Sequence, residues 1–350
     1  MTWEYSEDNL IEQTAIDLFY KNLGWDTLLA YNKESFGEGS TLGRLDKREV
    51  VIKRTLLEKI RQFNPGLPDK AYQEAMEKLT EESSIKSLSE INYEKYKLMR
   101  DGIPVDYINE KGEQVKNSTL RVFDFEEAEN NHFLAVRQLW LRGKSNRERR
   151  PDIIGFVNGI PLLFIELKAA HRKLENAYND NFTDYKDVIP KLFYYNAFVV
   201  LSNGIESRIG SVTGKYQHFH EWKRITEEED GVVALDRIIV GVCEKKRFMD
   251  LFENFILFDN SMGKVVKLIA RNHQFIGVNK AIENIKCKIE NEKNELEALE
   301  KLRDIITAGD FQNRKSEIGN RKSQLGVFWH TQGSGKSYSM VFFCQKIHRK

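Results

Sequence analysis

Residues 149–168 read RRPDIIGFVNGIPLLFIELK, from Arg149 to Lys168. Asp152 to Val157 has the composition of a buried strand, and Pro161 to Lys168 that of its partner. Asn158-Gly159 between them is the strongest short hairpin signal a sequence carries. Runs this apolar belong to strands covered on both faces, where a charge is costly unless it has a partner or a task. Three charges nevertheless gather at the open end of the hairpin: Asp152 on one strand, Glu166 and Lys168 on the other. Glu166 and Lys168, two residues apart, share a face of the pleat. Two carboxylates beside an ammonium suit a hard divalent cation such as Mg²⁺, which takes oxygen ligands and keeps several waters. Asp152 and Glu166 are its candidate ligands, and Lys168 the group that would polarise water or offset charge on a phosphate.

The pattern Pro151-Asp152 followed by Glu166-Leu167-Lys168 resembles the PD-(D/E)xK nuclease superfamily. The resemblance implies metal-dependent hydrolysis of a phosphodiester. It adds two further candidates: Glu12, an acid on the first expected helix, and Tyr185, on the helix expected after the hairpin. One branch of the superfamily carries Gln-x-x-x-Tyr on that helix. The matching positions here are Asn181 and Tyr185, so the amide is one carbon shorter. The chemistry also constrains the hairpin. A two-residue Asn158-Gly159 loop with strict pairing sets Val157 against Ile160 and Asp152 against Ile165, turning Asp152 away from Glu166. Convergence therefore demands a three-residue loop with Gly159 left-handed, or a bulge in one strand.

With 350 residues, 41% hydrophobic and 31% charged, the chain is long enough for two globular domains. A net charge of only +1 excludes binding to nucleic acid through an overall field, so any such contact must be local. One basic patch, Arg142, Lys144, Arg147, Arg149 and Arg150, precedes the hairpin in a position suited to phosphate. Cys243, Cys287 and Cys344 are far apart, which argues against a disulfide framework or a zinc site and suits a reducing, cytoplasmic setting. The acidic N-terminus has no signal-peptide character and no apolar run reaches membrane-spanning length, so no membrane partner is expected.

Along the chain, Asn9 to Asn22, Glu49 to Phe63 and Asp69 to Thr80 have helical periodicity, while 83–117 is polar and loop-like. Thr119 to Phe125 alternates like a strand, and His132 to Leu141 has strand or amphipathic character. Leu174 to Tyr185 is expected to be a helix crossing back over the sheet. Asn196 to Leu201 is expected to be a buried strand, with Ser207 to Val212 beside it. Lys245 to Phe258 is helical, and Asp259 to Lys264 marks an interdomain turn. A long charged helical pattern runs from Val278 to Ile306.

A second constellation begins at Gln324. Val327-Phe328-Trp329 is an expected strand, Thr331 to Lys336 a glycine-rich loop and Ser337 to His348 a helix: a P-loop. There the backbone amides of Thr331, Gln332, Gly333, Ser334 and Gly335 cradle phosphates, Lys336 reaches the terminal ones and Ser337 ligates Mg²⁺. ATP is the expected cofactor. Gln274, some fifty residues upstream, is a candidate for reading the adenine edge. His330 stands where the general pattern has glycine.

With both sites in hand, the chain resembles the endonuclease (R) subunit of type I restriction enzymes. The residues that carry the resemblance are Arg149 to Asp152, Phe156 to Leu162, Glu166 to Lys168, Ile189 to Phe193 and Trp329 to Ser337, with His330 the usual residue there. The implied fold class is α/β. A PD-(D/E)xK core, a mixed sheet flanked by helices, occupies residues 1–260, and the start of a RecA-like helicase motor occupies 261–350. The resemblance implies an ATP-dependent translocase fused to a nuclease for double-stranded DNA, working with methyltransferase (M) and specificity (S) subunits. Since no acidic motor motif follows the P-loop, the chain is expected to be the N-terminal part of a longer protein. The last strand and helix, including Met340, Val341, Phe342 and Phe343, are then expected to lack packing partners. Two other readings stay open: a motor fragment whose nuclease-like domain only grips DNA, and an assembly module without catalysis.

Overall fold

The computed structural model describes residues 7–291, apart from 32, 110 and 262, and residues 335–349. The chain divides into two compact units, Met1–Ile269 and Ala270–Lys350.

The first unit is built on a six-stranded sheet whose spatial order follows the chain: β1 (Asp26–Leu29), β2 (Phe133–Arg137), β3 (Ile153–Val157), β4 (Ile160–Leu167), β5 (Phe198–Ser202) and β6 (Ser207–Gly210). The sheet is mixed. β1 runs parallel to β2 and β4 parallel to β5, while the β2–β3, β3–β4 and β5–β6 pairs are antiparallel. A parallel step needs a crossover, and residues 174–193 supply it as helical segments between β4 and β5. Leu174–Asn176 leads into a π-helical stretch, Ala177–Phe182, then Thr183–Val188.

Both faces are covered, which explains the near-continuous apolar strands. On one face Ile154, Phe156, Phe164, Val199 and Leu201 pack with Phe182, Tyr185 and Phe193 from the crossover. Phe164 meets Phe182, Tyr185 and Phe193 at ring separations of 5.8, 5.5 and 5.2 Å. On the other, Trp25 stacks among Phe19, Phe133 and Phe248. Gly155 has no room for a side chain, since a Cβ there would meet Leu163 at 2.9 Å and the Trp25 ring at 3.1 Å.

The central hairpin resolves the register problem. Asn158 and Gly159 are both left-handed (φ 50° and 79°), giving a two-residue turn with Val157 opposite Ile160. Phe156 still faces Pro161, but Gly155 faces Leu163, so one extra residue enters β4. Pro161 accounts for its place: proline has no N–H for the ladder, and inside a sheet it sits at a bulge. Beyond the bulge Ile153 faces Ile165, and one further step sets Asp152 against Glu166 rather than Ile165.

Several expectations change. The helix expected at Lys245–Phe258 ends at Asn254 and gives way to a strand from Ile256. Residues 83–117 are not a loop. Leu88–Asp101 is a helix begun by a capping box, Ser87 with Glu90, and Ile103–Ile108 pairs with Gln114–Leu120 as a hairpin. The helix looked polar because its buried face carries Asn92 and Lys95, whose nitrogens donate to backbone carbonyls of Phe193, Tyr194, Asn196 and Lys78. The strand expected at Thr119–Phe125 ends at Leu120. The turn expected between domains at 259–264 instead joins two strands of the first unit, Ile256–Asp259 and Val266–Ile269.

In the second unit, helices Asn272–Asn291 and Lys336–Arg349 are described. The expected strand 327–329, His330 and the P-loop residues Thr331, Gln332, Gly333 and Ser334 lie outside the described residues, as does most of 278–306. Met340 and Val341 are exposed as expected, but Phe342 is buried, contrary to the reading that it lacks a packing partner. Among the described residues no helix is long and apolar enough to cross a membrane.

Candidate active site

The site lies where β2, β4 and β5 end and β3 begins, the edge at which open α/β sheets present ligand-binding groups. The bulge in β4 brings Asp152 and Glu166 together. Leu167 donates its backbone N–H to Asp152 Oδ2 at 2.7 Å, holding one carboxylate oxygen against the neighbouring strand. Lys168 Nζ donates to Glu166 Oε1 at 3.0 Å. Glu166 is almost wholly buried and its other oxygen, Oε2, has no hydrogen-bond partner among the described residues.

Glu12 reaches the site from the helix Glu7–Asp17, buried and with both oxygens engaged. Arg137 Nε donates to Oε2 and Gln138 Nε2 to Oε1, each at 2.7 Å. Gln138 Nε2 also lies 3.3 Å from Asp152 Oδ1, so this amide bridges the two acids. Its Oε1 is buried without a partner among the described residues. Neither Arg137 nor Gln138 was singled out from sequence, although both interrupt the apolar run His132–Leu141 much as Asp152 interrupts the hairpin. Gln138 adopts a left-handed φ of 59°, uncommon outside glycine and asparagine, and its N–H donates to Asp152 O at 2.9 Å. The kink ends β2 and swings the amide toward the carboxylates.

Burial pushes the Asp152 carboxyl well above its usual range, and the charge of Glu166 beside it adds to the shift. Burial likewise raises Glu166, to about 7, against the opposing pull of Lys168. Two neighbouring acids that resist losing their protons mark a place where positive charge is missing. Tyr185 closes the site from the crossover helix; its hydroxyl donates to Arg150 O at 3.2 Å, and burial together with the nearby carboxylates holds it protonated. Asn181 makes a polar contact with that hydroxyl.

The basic patch is mostly neutralised. Arg142 pairs with Glu148, Arg147 with Asp187, and Arg149 with Asp184 through a bidentate contact. Lys144 faces Asp187 at 3.9 Å. Only Arg150 has no acidic partner among the described residues; its guanidinium lies over the rings of Tyr31 and Trp140.

In the second unit Gln274 and Gly335, far apart in sequence, come together: Gln274 Nε2 donates to Gly335 O at 3.0 Å, and its Oε1 accepts from Arg271 N–H at 2.8 Å. Gly335 has a φ of 85°, and a Cβ there would sit 2.7 Å from the Gln274 amide. Lys336 and Ser337 follow in the first turn of their helix.

Comparison with known proteins places these two regions. The family described as type I restriction enzyme R protein N terminus matches residues 4–218, which hold the whole candidate site. The SWI2/SNF2 ATPase family matches residues 273–350, from just before Gln274 onward. A type I restriction enzyme HindI endonuclease subunit from Haemophilus influenzae is 37% identical over 349 residues, covering 97% of this chain and 30% of that protein. A protein of Methanocaldococcus jannaschii named as a type I restriction enzyme MjaIXP endonuclease subunit is 27% identical, over 97% of this chain and 31% of its own length. The chain thus spans less than a third of the length of each of these two relatives. With a family match over more than half its length and a 37% identical relative along nearly all of it, the chain belongs to the type I restriction enzyme R protein N-terminal family.

Proposed function

We propose that the first unit is a Mg²⁺-dependent endonuclease for double-stranded DNA. In this reading it is the cleavage module of a type I restriction subunit whose ATP-driven motor begins at the P-loop and which assembles with methyltransferase and specificity subunits. One observation carries the nuclease reading: a bulge at Pro161 turns Asp152 to face Glu166, with Lys168 Nζ 3.0 Å from Glu166. A scaffold that only gripped DNA would have no reason to bury two repelling carboxylates.

The donor set suits a hard cation. Among the described residues no group of three or more His, Cys, Asp or Glu side chains is already arranged as a metal cage. Mg²⁺ does not ask for one, being held by one or two carboxylates together with water and phosphate oxygens. Asp152 and the free Oε2 of Glu166 would hold it. When bound, the cation lowers the pKa of its water and offsets charge on the phosphate. The remaining work falls to the chain itself. Lys168, tethered to Glu166, is placed to orient the attacking water and to balance charge gathering on the phosphate oxygens. Gln138 and the Leu167 N–H fix Asp152, while Arg137 holds Glu12 in place.

The test is nicking of a supercoiled plasmid by the purified chain with Mg²⁺, Ca²⁺ or chelator, alongside Lys168→Ala. Mg²⁺-dependent nicking lost in the variant supports the reading. Nicking that persists in Lys168→Ala, or that needs no metal, would sink it.

A further inference from the structure

We propose that Arg150 is a phosphate clamp for the DNA backbone, set beside the carboxylates by two aromatic rings; this rests on the nuclease reading above. Of the five cations between Arg142 and Arg150, four are held by Glu148, Asp184 or Asp187. Arg150 alone has no acidic partner among the described residues, and it is half-buried. Its guanidinium carbon lies 4.4 Å from the centre of the Tyr31 ring and 5.1 Å from that of Trp140. Aromatic stacking occupies the faces of a guanidinium and leaves its edge, with the N–H donors, open to a planar pair of acceptors. That edge matches two phosphate oxygens.

Trp140 is anchored through its backbone. Arg44, buried, forms a bidentate pair with Glu34 through Nε and Nη2, each at 2.6 Å. It also donates to the Trp140 carbonyl at 3.0 Å and the Glu49 carbonyl at 2.7 Å. Tyr31 follows β1, Trp140 follows β2 and Arg150 precedes β3, so all three stand at the edge that carries Asp152 and Glu166. Arg150 is also joined to the site directly, since its carbonyl accepts from Tyr185. Arg150 lies two residues before Asp152 in the chain, so a backbone lying across the carboxylates passes the clamp as well. A side chain with these properties positions the backbone and takes no part in bond breaking.

Counterion release supplies the test, because each phosphate contact contributes about 0.9 to the slope of log affinity against log salt on duplex DNA. Binding of the chain to a short blunt duplex would be followed across a salt titration with Ca²⁺ in place of Mg²⁺. Arg150→Gln should lower the slope by about 0.9. Arg150→Lys should keep the slope while weakening affinity, since it retains the charge but not the fork. Arg147→Ala, which removes a cation already paired with Asp187, should change the slope by less than half as much. A slope unchanged in Arg150→Gln, or lowered equally in Arg147→Ala, would overturn the clamp. Lys168→Ala run in parallel separates the two claims. A nicking activity lost in Lys168→Ala with no slope change at Arg150 refutes the clamp alone. A slope change without any metal-dependent nicking refutes the nuclease and leaves the phosphate contact standing.

Discussion

Two charged stretches adjoin in this chain and meet opposite fates. Between Arg142 and Arg149 every cation finds an acid, four cations sharing Glu148, Asp184 and Asp187. Between Asp152 and Lys168 the charges are buried, yet the acids outnumber the cations that could satisfy them. Arg137 is committed to Glu12, and Lys168 reaches one oxygen of Glu166. Local charge density alone does not distinguish the two. The difference is compensation, and incomplete compensation in a buried place is what points to a missing cation.

The contrast can be broken in several ways, and the largest effect is expected at Lys168. Its replacement by alanine should lower cleavage roughly 10²–10⁴-fold, in line with loss of a positioned group acting on a water or phosphate. If the proposed motor is present, ATP hydrolysis by the longer protein should persist, because the proposed P-loop at 331–337 shares no residue with the carboxylate site. Parallel plasmid-nicking and phosphate-release assays would show it, and joint loss in a folded variant would refute the separation.

Next in size is the buried pair of Glu12 and Arg137, with side chains 6% and 4% exposed. Glu12→Ala leaves a buried guanidinium without its main partner, which typically costs about 3–5 kcal/mol. Chemical denaturation should register most of that. A change below about 1 kcal/mol would mean that Arg137 finds another anion.

The uncompensated acid should behave in the reverse sense. Glu166 keeps its proton to about pH 7 in the fold, whereas an unfolded glutamate releases it near 4.5. Between these values the folded state binds more protons than the unfolded one, so stability is highest at low pH and falls as pH rises, the loss being complete above about 7. Melting temperature measured from pH 5 to 8 should therefore drop by several degrees in chelator. Mg²⁺ should restore most of the loss at pH 8, and Glu166→Gln should flatten the profile. A wild-type profile that rises with pH would reverse the assignment. The smallest effect belongs to the compensated side: Arg147→Ala, breaking an exposed pair with Asp187, should alter stability by less than about 1 kcal/mol.

Much of the site could be read along the chain. The Asn158-Gly159 turn, the apolar strands around it and the three charges at its open end follow from side-chain chemistry and local backbone preference. So does the crossover helix with Tyr185, from the distance between two buried strands. The helix Leu88–Asp101 was legible too, through Ser87 and Glu90, but its inward Asn92 and Lys95 disguised it. Hydrophobic patterning cannot anticipate polar side chains whose partners are carbonyls far away in sequence.

Other features belong to the tertiary structure. The bulge is tied to Pro161, yet which face Asp152 would take depended on whether the extra residue entered β3, β4 or the turn. The packing of Leu163 and Trp25 around Gly155 belongs to that outcome. Sequence chemistry brought Asp152, Glu166 and Lys168 to one end of one hairpin, because covalent connectivity keeps them close in any register. Only the assembled sheet could add Arg137 and Gln138 from β2 and Glu12 from the first helix. It also decided which of five neighbouring cations would be left without an acid among the described residues, since compensation depends on distances that chain order does not encode.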